Sequence, residues 1–173
     1  MGWQVDTAHT QVSFAVRHLG ISLIRGRMKL AESQLVLDEA QPERSSLTAR
    51  MDVSSLDTGE PGRDGHLKTG DFLNVETYPY ISFVSRQVKR PAEGKVEVAG
   101  DLTIRDITRP LTLSGDYSGP QLDPLSGKRK VGFSLSGQLN KTDYGIQWNV
   151  PMEGGFMLAD RLTLTIDAQA IET

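Results

Sequence analysis

The sequence predicts an all-β protein of about eight antiparallel strands, and three observations indicate this class. Apolar and polar residues alternate with period two along most of the chain. Glycine- and proline-containing turns separate the alternating segments, and no helix-strand alternation suggests a parallel sheet. A closed barrel and a two-sheet sandwich both satisfy these observations. Glycines within the apolar rows, such as Gly100 and Gly137, favour the barrel, because closure requires strongly coiled strands.

Three apolar rows precede residue 54 and predict the first strands. They are Val12, Phe14, Val16 and His18; then Met28, Leu30, Leu35 and Leu37; then Leu47, Ala49, Met51 and Val53. We expect Gly20 and Gly26 to mark bends around the start of the second row. The parity of that row changes between Leu30 and Leu35, which predicts a β-bulge.

The least β-like stretch runs from Ser54 to Ser85, and residues 61–74 within it predict one short helix that closes an end of the barrel. Pro61 presets the backbone for a first helical turn, and Asp64 is a capping residue. We expect Arg63 to pair with a carboxylate or a strand end. Tyr78 stops further helix because it precedes a proline and is held in extended geometry.

Five further rows predict the strands of the second half. They are Ile81, Phe83 and Ser85; Val96, Val98, Gly100, Leu102 and Ile104; Leu111, Leu113 and Tyr117; Val131, Phe133, Leu135, Gly137 and Leu139; and Leu162, Leu164, Ile166, Ala168 and Ala170. We expect residues 106–110 to form a tight turn. Residues 118–130 contain two glycines and two prolines and predict a long exposed loop.

Composition bounds the possible functions. A chain of 173 residues suits one domain with a sizeable core. The net charge of −3 argues against nucleic acid as a partner. The absence of cysteine excludes disulfides and cysteine-based sites, and no apolar run approaches the length of a membrane span. The chain lacks a charged-then-apolar leader, which predicts a cytoplasmic protein, or an exported one if a leader was removed.

The three histidines are the candidate metal ligands in this sequence. His9, His18 and His66 show no ligand spacing typical of zinc sites, so the sequence predicts no metal. His9 follows Asp6 closely, and we expect a turn histidine bonded to that carboxylate or to the backbone.

His18 leaves two interpretations open. It ends an apolar row, so it is either a hydrogen-bonded core histidine or a polar group at the mouth of a cavity. The chain contains no Gly-x-Ser-x-Gly elbow and no recognisable triad, which predicts no catalytic residues. The alternative is an enzyme acting on a small apolar substrate, with His18 working beside Asp71 or Asp143.

A set of short motifs in a fixed order extends from one end of the chain to the other. The motifs are Trp3, Asp6, His9, Phe14, His18 and Gly26; Ser54-x-x-x-Thr58-Gly59; Arg63-Asp64-x-x-Leu67-x-x-x-Asp71-Phe72; Tyr78-Pro79-x-Ile81-x-Phe83-x-Ser85; residues 100–104; Thr108-Arg109-Pro110; residues 142–145; and Ala159-Asp160-Arg161-Leu162. Together they resemble the YceI-like proteins, a lipocalin-like group that binds polyisoprenoids.

The resemblance implies an extended antiparallel eight-stranded lipocalin-like barrel, with residues 1–173 forming a single domain. It implies non-catalytic binding, storage or transport of a long-chain isoprenoid lipid, such as a polyprenyl or quinone-type tail. The bound polyisoprenoid is the expected ligand, with no other cofactor, and a homodimer is the expected assembly. The chain departs from the family at Arg105-Asp106 and Asn140-Lys141, which leaves the head group open.

The apolar rows supply the predicted ligand-binding residues, although pattern alone fits a filled core as well as a hollow one. A one-residue slip would send every side chain to the opposite face. The predicted pocket wall consists of Phe14, Val16, His18, Met51, Val53, Ile81, Phe83, Leu102, Ile104, Phe133, Leu135, Leu164 and Ile166, with Phe72, Trp148 and Phe156 closing an end.

Overall fold

A computed structural model describes residues 2–173, and eight long strands in it form a closed antiparallel barrel. The elements in chain order are β1 (Trp3–Val5), β2 (Gln11–His18), β3 (Ser22–Val36), β4 (Ser46–Asp57), α1 (Pro61–Leu67), β5 (Tyr80–Lys89), β6 (Lys95–Ile104), β7 (Ile107–Leu122), β8 (Arg129–Asn140), β9 (Pro151–Met152), β10 (Gly155–Phe156) and β11 (Leu158–Glu172). Short 3-10 turns lie at Thr7–His9, Pro42–Arg44 and Lys141–Tyr144.

The barrel closes between β8 and β11. These strands pair from Lys130 opposite Ile171 to Asn140 opposite Arg161, and the remaining order is β11-β2-β3-β4-β5-β6-β7-β8. This closure confirms the predicted barrel and excludes the sandwich. Strand β1 extends the wall at one end of the ring, where it pairs with the last residues of β11 and, through Trp3, with Leu35 of β3.

Alternating burial shows which face of each strand points inward. In β6 every second residue from Val96 to Ile104 is buried, as the period-two pattern predicted. We call the end that holds α1 and residues 141–157 the upper end of the barrel. The opposite end, with β1 and the Pro42–Arg44 turn, is the lower end.

The predicted bulge in the second row is present within one continuous strand. Strand β3 shifts register against β4 twice, between Arg27 and Lys29 and between Leu30 and Glu32. The predicted bend at Gly26 is wrong, because this residue pairs with Phe14 in the middle of β3. A Cβ on Gly26 would lie 2.5 Å from the ring of Phe14, so the glycine provides room for that ring rather than a turn.

Two predicted connections are shorter than expected. Arg105 and Asp106 alone join β6 to β7, and Pro110 already pairs with Asp101 in the sheet, so the turn at residues 106–110 is wrong. The long loop at residues 118–130 is also wrong, because β7 continues to Leu122. Pro120 is accommodated there at a register shift, where the ladder does not need its missing N–H.

The predicted helix is present but ends at Leu67, and tight turns follow it. Asp64 does not cap it, because its carboxylate accepts the N–H of Thr58 at 2.9 Å. Glu60 caps the helix instead, accepting the N–H of Gly62 and of Arg63. The hydroxyl of Thr69 donates to the carbonyl of His66, a local bond that competes with continued helix.

Candidate functional site: the barrel lumen

Three apolar cavities follow one another along the inside of the barrel. The upper cavity, of about 230 Å³, lies beneath α1 and is bounded by Phe14, His66 and Trp148. The central cavity, of about 90 Å³, shares Leu164 with the upper one. The lower cavity, of about 100 Å³, shares Ile166 with the central one and reaches the Pro42–Arg44 turn. The lumen is therefore partly hollow, with side chains between the cavities.

Most of the predicted pocket residues lie on these walls. The upper cavity contains Phe14, Val16, His18, Phe72, Ile81, Ile104, Trp148 and Leu164. Met51, Phe83, Leu102, Leu164 and Ile166 line the central cavity, and Phe133, Leu135 and Ile166 line the lower one. The predicted parity is thus the one that faces the lumen in every strand that contributes to the walls.

Two predicted residues lie elsewhere. Val53 is 1% exposed and packs in the solid core without lining a cavity. The register shift between β3 and β4 brings Leu56 to the upper wall instead. Phe156 is 61% exposed on the β9-β10 hairpin, where it pairs with Pro151 on the surface.

Sequence reasoning missed a substantial part of the upper wall. The additional residues are Ile24, Met28, Leu56, Arg63, His66, Leu67, Leu73, Leu139, Lys141, Ile146, Met157, Leu158 and Leu162. Met28, Leu139 and Leu162 belong to apolar rows and carried a usable signal. Ile146 and Met157 carried none, because they lie on the irregular segment between β8 and β11, which has no regular periodicity.

An aromatic cluster closes the upper end. The ring of His66 meets the rings of Phe72 and Trp148 edge-on, with centroids 5.1 and 4.8 Å away. The Nε2 atom of His66 lies 2.9 Å from a carboxylate oxygen of Asp71, which orients the imidazole. Helix α1 and the segment before β11 therefore meet over the cavity, where His66 of the helix contacts Trp148 of the segment.

His18 lies on the wall of the upper cavity, which favours the interpretation as a polar group of the cavity. Within residues 2–173 its imidazole has no hydrogen-bond partner in the protein, so it is not a bonded core histidine. The carboxylates considered with it are engaged or distant: Asp71 binds His66, and Asp143 lines a separate surface cleft with Arg109. The geometry thus supplies no His18-carboxylate pair.

Four side chains with basic nitrogen atoms interrupt the apolar upper wall. They are His18, Arg63, His66 and Lys141, and among the described residues no aspartate or glutamate lines this cavity. Arg63 donates from Nε to the hydroxyl of Thr58 at 2.8 Å and from a terminal nitrogen to its carbonyl at 2.9 Å. This contact confirms the predicted pairing of Arg63 with a strand end.

Lys141 is the most buried charged residue in the described chain, with 5% exposure. Its Nζ donates to the carbonyls of Ile146 and Trp148, both at 3.3 Å. Neighbouring Tyr144 is also buried, and burial, followed by the charge of Asp143, raises the pKa of its phenol to about 12. Both side chains project from the 3-10 turn that follows β8.

The lower end contains the histidine predicted to lie in a turn. The Nδ1 atom of His9 lies 2.7 Å from a carboxylate oxygen of Asp6, which confirms that prediction. Burial raises the pKa of Asp6, but hydrogen bonds from His9 and from the N–H of Ala8 outweigh it and leave the pKa below its ordinary value. This pair stabilises the β1-β2 connection and lies outside the cavities.

Metal sites and membrane-spanning helices are two further features to consider in the described residues. No group of three or more histidine, aspartate or glutamate side chains in residues 2–173 is arranged to hold a metal ion. No helix in the same range has the length and apolar character needed to cross a membrane.

Comparisons with known proteins agree with the barrel geometry. The YceI-like domain model matches residues 3–170. A UPF0312 protein of Pseudomonas putida is 37% identical over 139 residues, which cover 80% of this chain and 72% of that protein. Among solved structures, BcnA of Burkholderia cenocepacia matches with a TM-score of 0.83 at 20% identity, covering 96% of this chain and 99% of that one.

A third match is described as a polyisoprenoid binding domain from Saccharophagus degradans implicated in plant cell wall breakdown. It has a TM-score of 0.67 at 13% identity and covers 100% of this chain and 99% of that one. At such identities the two structures show a shared fold. The family model and the Pseudomonas relative show more, and this chain belongs to the YceI-like family.

Proposed function

We propose that this protein binds a long-chain isoprenoid lipid inside the barrel and stores or carries it without chemical change. The row of apolar cavities carries the proposal. Transfer of apolar surface from water to such walls is favourable, by roughly 25 cal/mol per Å². A cavity of about 150 Å³ with similar walls is known to take up benzene, and the upper cavity is larger, at about 230 Å³.

The length of the barrel suits an extended tail rather than a compact ligand. Strands β3 and β11 have 15 residues each. At about 3.3 Å per residue and a tilt of 35–45°, such strands span roughly 35–40 Å along the barrel axis. We expect a tail longer than the upper cavity to displace the side chains that separate it from the central and lower cavities.

Two further observations support the proposal. The structural neighbour from Saccharophagus degradans is described as a polyisoprenoid binding domain. Among the described residues, the ionisable side chains on the upper wall are basic, which suits a pocket that holds a tail and orients a head group.

The decisive experiment is organic extraction of the purified protein followed by mass spectrometry. We expect an isoprenoid in about one-to-one ratio with the barrel. A second measurement uses the delipidated protein in a Trp3→Phe background, so that Trp148 is the remaining tryptophan and reports on the upper cavity.

In that background, all-trans geranylgeraniol should change the Trp148 fluorescence saturably and should bind more tightly than geraniol. Hexadecanol serves as the straight-chain control and should bind more weakly than geranylgeraniol. A protein that carries no lipid and binds none of these alcohols would contradict the proposal.

Homodimerisation, implied by the family resemblance, stays a prediction. Sedimentation at micromolar concentration should give a dimer, and a monomer at all concentrations would contradict it.

A further inference from the structure

The buried cation at the upper cavity has no anion beside it. Lys141 is 5% exposed, and within residues 2–173 its Nζ forms no ion pair, only two hydrogen bonds to main-chain carbonyls. An ammonium carries three donors, so one N–H is left without a protein acceptor. Burying a charge without a counter-ion is costly, and proteins ordinarily pair such groups.

The cavity wall that includes Lys141 carries further nitrogen donors and, among the described residues, no carboxylate. Arg63, His66 and His18 lie on the same wall. Arg63 uses two of its nitrogens on Thr58, which leaves one terminal nitrogen of the guanidinium without a protein partner. An anion within this cavity would meet donors on several sides in a dry environment, where charge-assisted hydrogen bonds are strong.

The opposite end of the lumen carries charges of both signs. The lower cavity is lined by Asp38 and Glu39 together with Arg90, and Glu39 already accepts hydrogen bonds from Arg129 at 2.7 and 2.9 Å. The upper wall has basic side chains and, among the described residues, no carboxylate, so it is the more favourable end for a charged head, with the tail in the central and lower cavities.

We infer that the lipid bound in this barrel has an anionic head group, such as a phosphate, that lies against Lys141 in the upper cavity. The inference rests on the proposed lipid-binding function and narrows its ligand class. Lys141 supplies the charge from the 3-10 turn that follows β8, and the remaining donors of Arg63 and the imidazoles of His18 and His66 complete the polar part of the pocket.

The test compares geranylgeranyl monophosphate with geranylgeraniol, which share one tail and differ in the head group. Both are titrated into the delipidated Trp3→Phe protein with Trp148 fluorescence as the readout. We expect the phosphate to bind about tenfold more tightly or better, the gain ordinary for a hydrogen bond to a charged group. Equal affinities in this background, in which Lys141 is unchanged, overturn the inference without any further variant.

The variant Lys141→Gln, made in that background, removes the charge but keeps amide donors for the carbonyls of Ile146 and Trp148. Geranylgeranyl monophosphate and geranylgeraniol should then bind with about equal affinity, while the affinity for geranylgeraniol stays the same. A purely structural Lys141 predicts a different result, with both affinities falling together, and that result contradicts the inference. Lys141→Met, of similar length, repeats the measurement without donors.

Lys130→Gln is the matched control, because Lys130 lies at the lower end of β8, the strand that precedes Lys141, and already pairs with Asp123 at 2.8 Å. It should leave the phosphate preference intact, and loss of the preference in this variant would overturn the assigned orientation. Inorganic phosphate alone is the last probe. It should not displace geranylgeraniol at micromolar concentration, and displacement would indicate a soluble-anion site instead.

Failure of the proposed lipid-binding function and failure of the anionic head group give different results. If neither geranylgeraniol nor its phosphate binds, the proposed lipid-binding function fails, and the inference fails with it. If both bind equally well, the function stands and the anionic head group is rejected.

Discussion

Basic side chains at the two ends of the barrel have different partners. At the lower end Arg129 lies between Glu39, at 2.7 Å, and Glu172, at 3.0 Å, and Lys130 pairs with Asp123. At the upper end Lys141 is more deeply buried than any of these and binds only carbonyls. Paired charges at the lower end hold strand ends together, whereas the unpaired charge at the upper end is available to a ligand.

The two ends of the barrel also differ in how much empty space they enclose. The wall of the upper cavity surrounds about 230 Å³ of empty space, while the lower cavity encloses about 100 Å³. Closed packing is expected where the chain only needs stability. Space and unpaired donors together at the upper end indicate that this end is organised for binding.

The largest expected effect comes from filling hollow and solid positions with the same residue. Val53→Trp, in the solid core, should lower the free energy of unfolding by about 1–3 kcal/mol or more, because the surroundings cannot accommodate the ring. Val16→Trp, on the upper wall, should cost less than about 1 kcal/mol and should abolish lipid binding. Urea unfolding of the delipidated proteins measures the change in stability, and organic extraction followed by mass spectrometry measures the lipid content of the Val16→Trp chain.

Equal losses of stability in the two variants would mean that the upper cavity is as tightly packed as the core. Retained lipid binding in the Val16→Trp chain would place the ligand outside the upper cavity.

A smaller effect on stability is expected at Gly26, which provides room for the ring of Phe14. Gly26→Ala places a methyl group 2.5 Å from that ring, so we expect a loss of about 1–2 kcal/mol in the free energy of unfolding. Phe14→Leu in the same chain should make Gly26→Ala less costly, since the ring is gone and the methyl of Thr58, 2.9 Å from the added carbon, is the close contact that remains. Gly70→Ala is the control, because nothing lies within 4 Å of the added carbon. Additive losses in the double variant would show that the ring and the glycine are not coupled.

The smallest effect concerns the paired charge at the lower end. A hydrogen bond from Lys130, helped by one from Ser126, holds the pKa of Asp123 well below its ordinary value. A lowered carboxylate pKa stabilises the fold above the unfolded value, near 3.9, and this contribution disappears as the pH falls through the folded value. Lys130→Gln should therefore raise the pKa of Asp123, as read from its carboxyl carbon resonance by NMR.

Ser126→Ala should raise the same pKa by a smaller amount, because Lys130 is retained. An unchanged pKa in Lys130→Gln would mean that the ion pair is not maintained in solution. The change in stability should be small in either case, as is usual for ion pairs near the surface.

Much of the barrel follows from the sequence because its strands obey a local rule. Alternation with period two identifies the inward side chains wherever a strand is regular, as along β6 from Val96 to Ile104. The rows therefore predicted most of the cavity wall, including Phe14 and Leu164. They missed Leu56, which a register shift between β3 and β4 brings to the upper wall, because a pattern of residue types does not contain such a shift. Val53 points inward with its row but packs in the solid core instead of lining a cavity.

The helix shows the same limit at closer range. Pro61 predicted where it begins, but Asp64 was assigned the cap that Glu60 provides. Both are acidic residues near the start of the helix, and the choice between them depends on Thr58, whose N–H reaches Asp64 from the end of β4. That contact requires the strand and the helix to be placed together, which local sequence does not specify.

The sequence by itself determined the all-β class, the family and the inward face of most strands, because each depends on residue types at regular spacing. The tertiary structure alone decided that the upper end holds an unpaired buried cation. Lys141 stands among polar residues in the chain and becomes buried only when the segment up to Trp148 folds over it. Burial and the absence of a counter-ion are properties of assembled segments, so no local pattern encodes them.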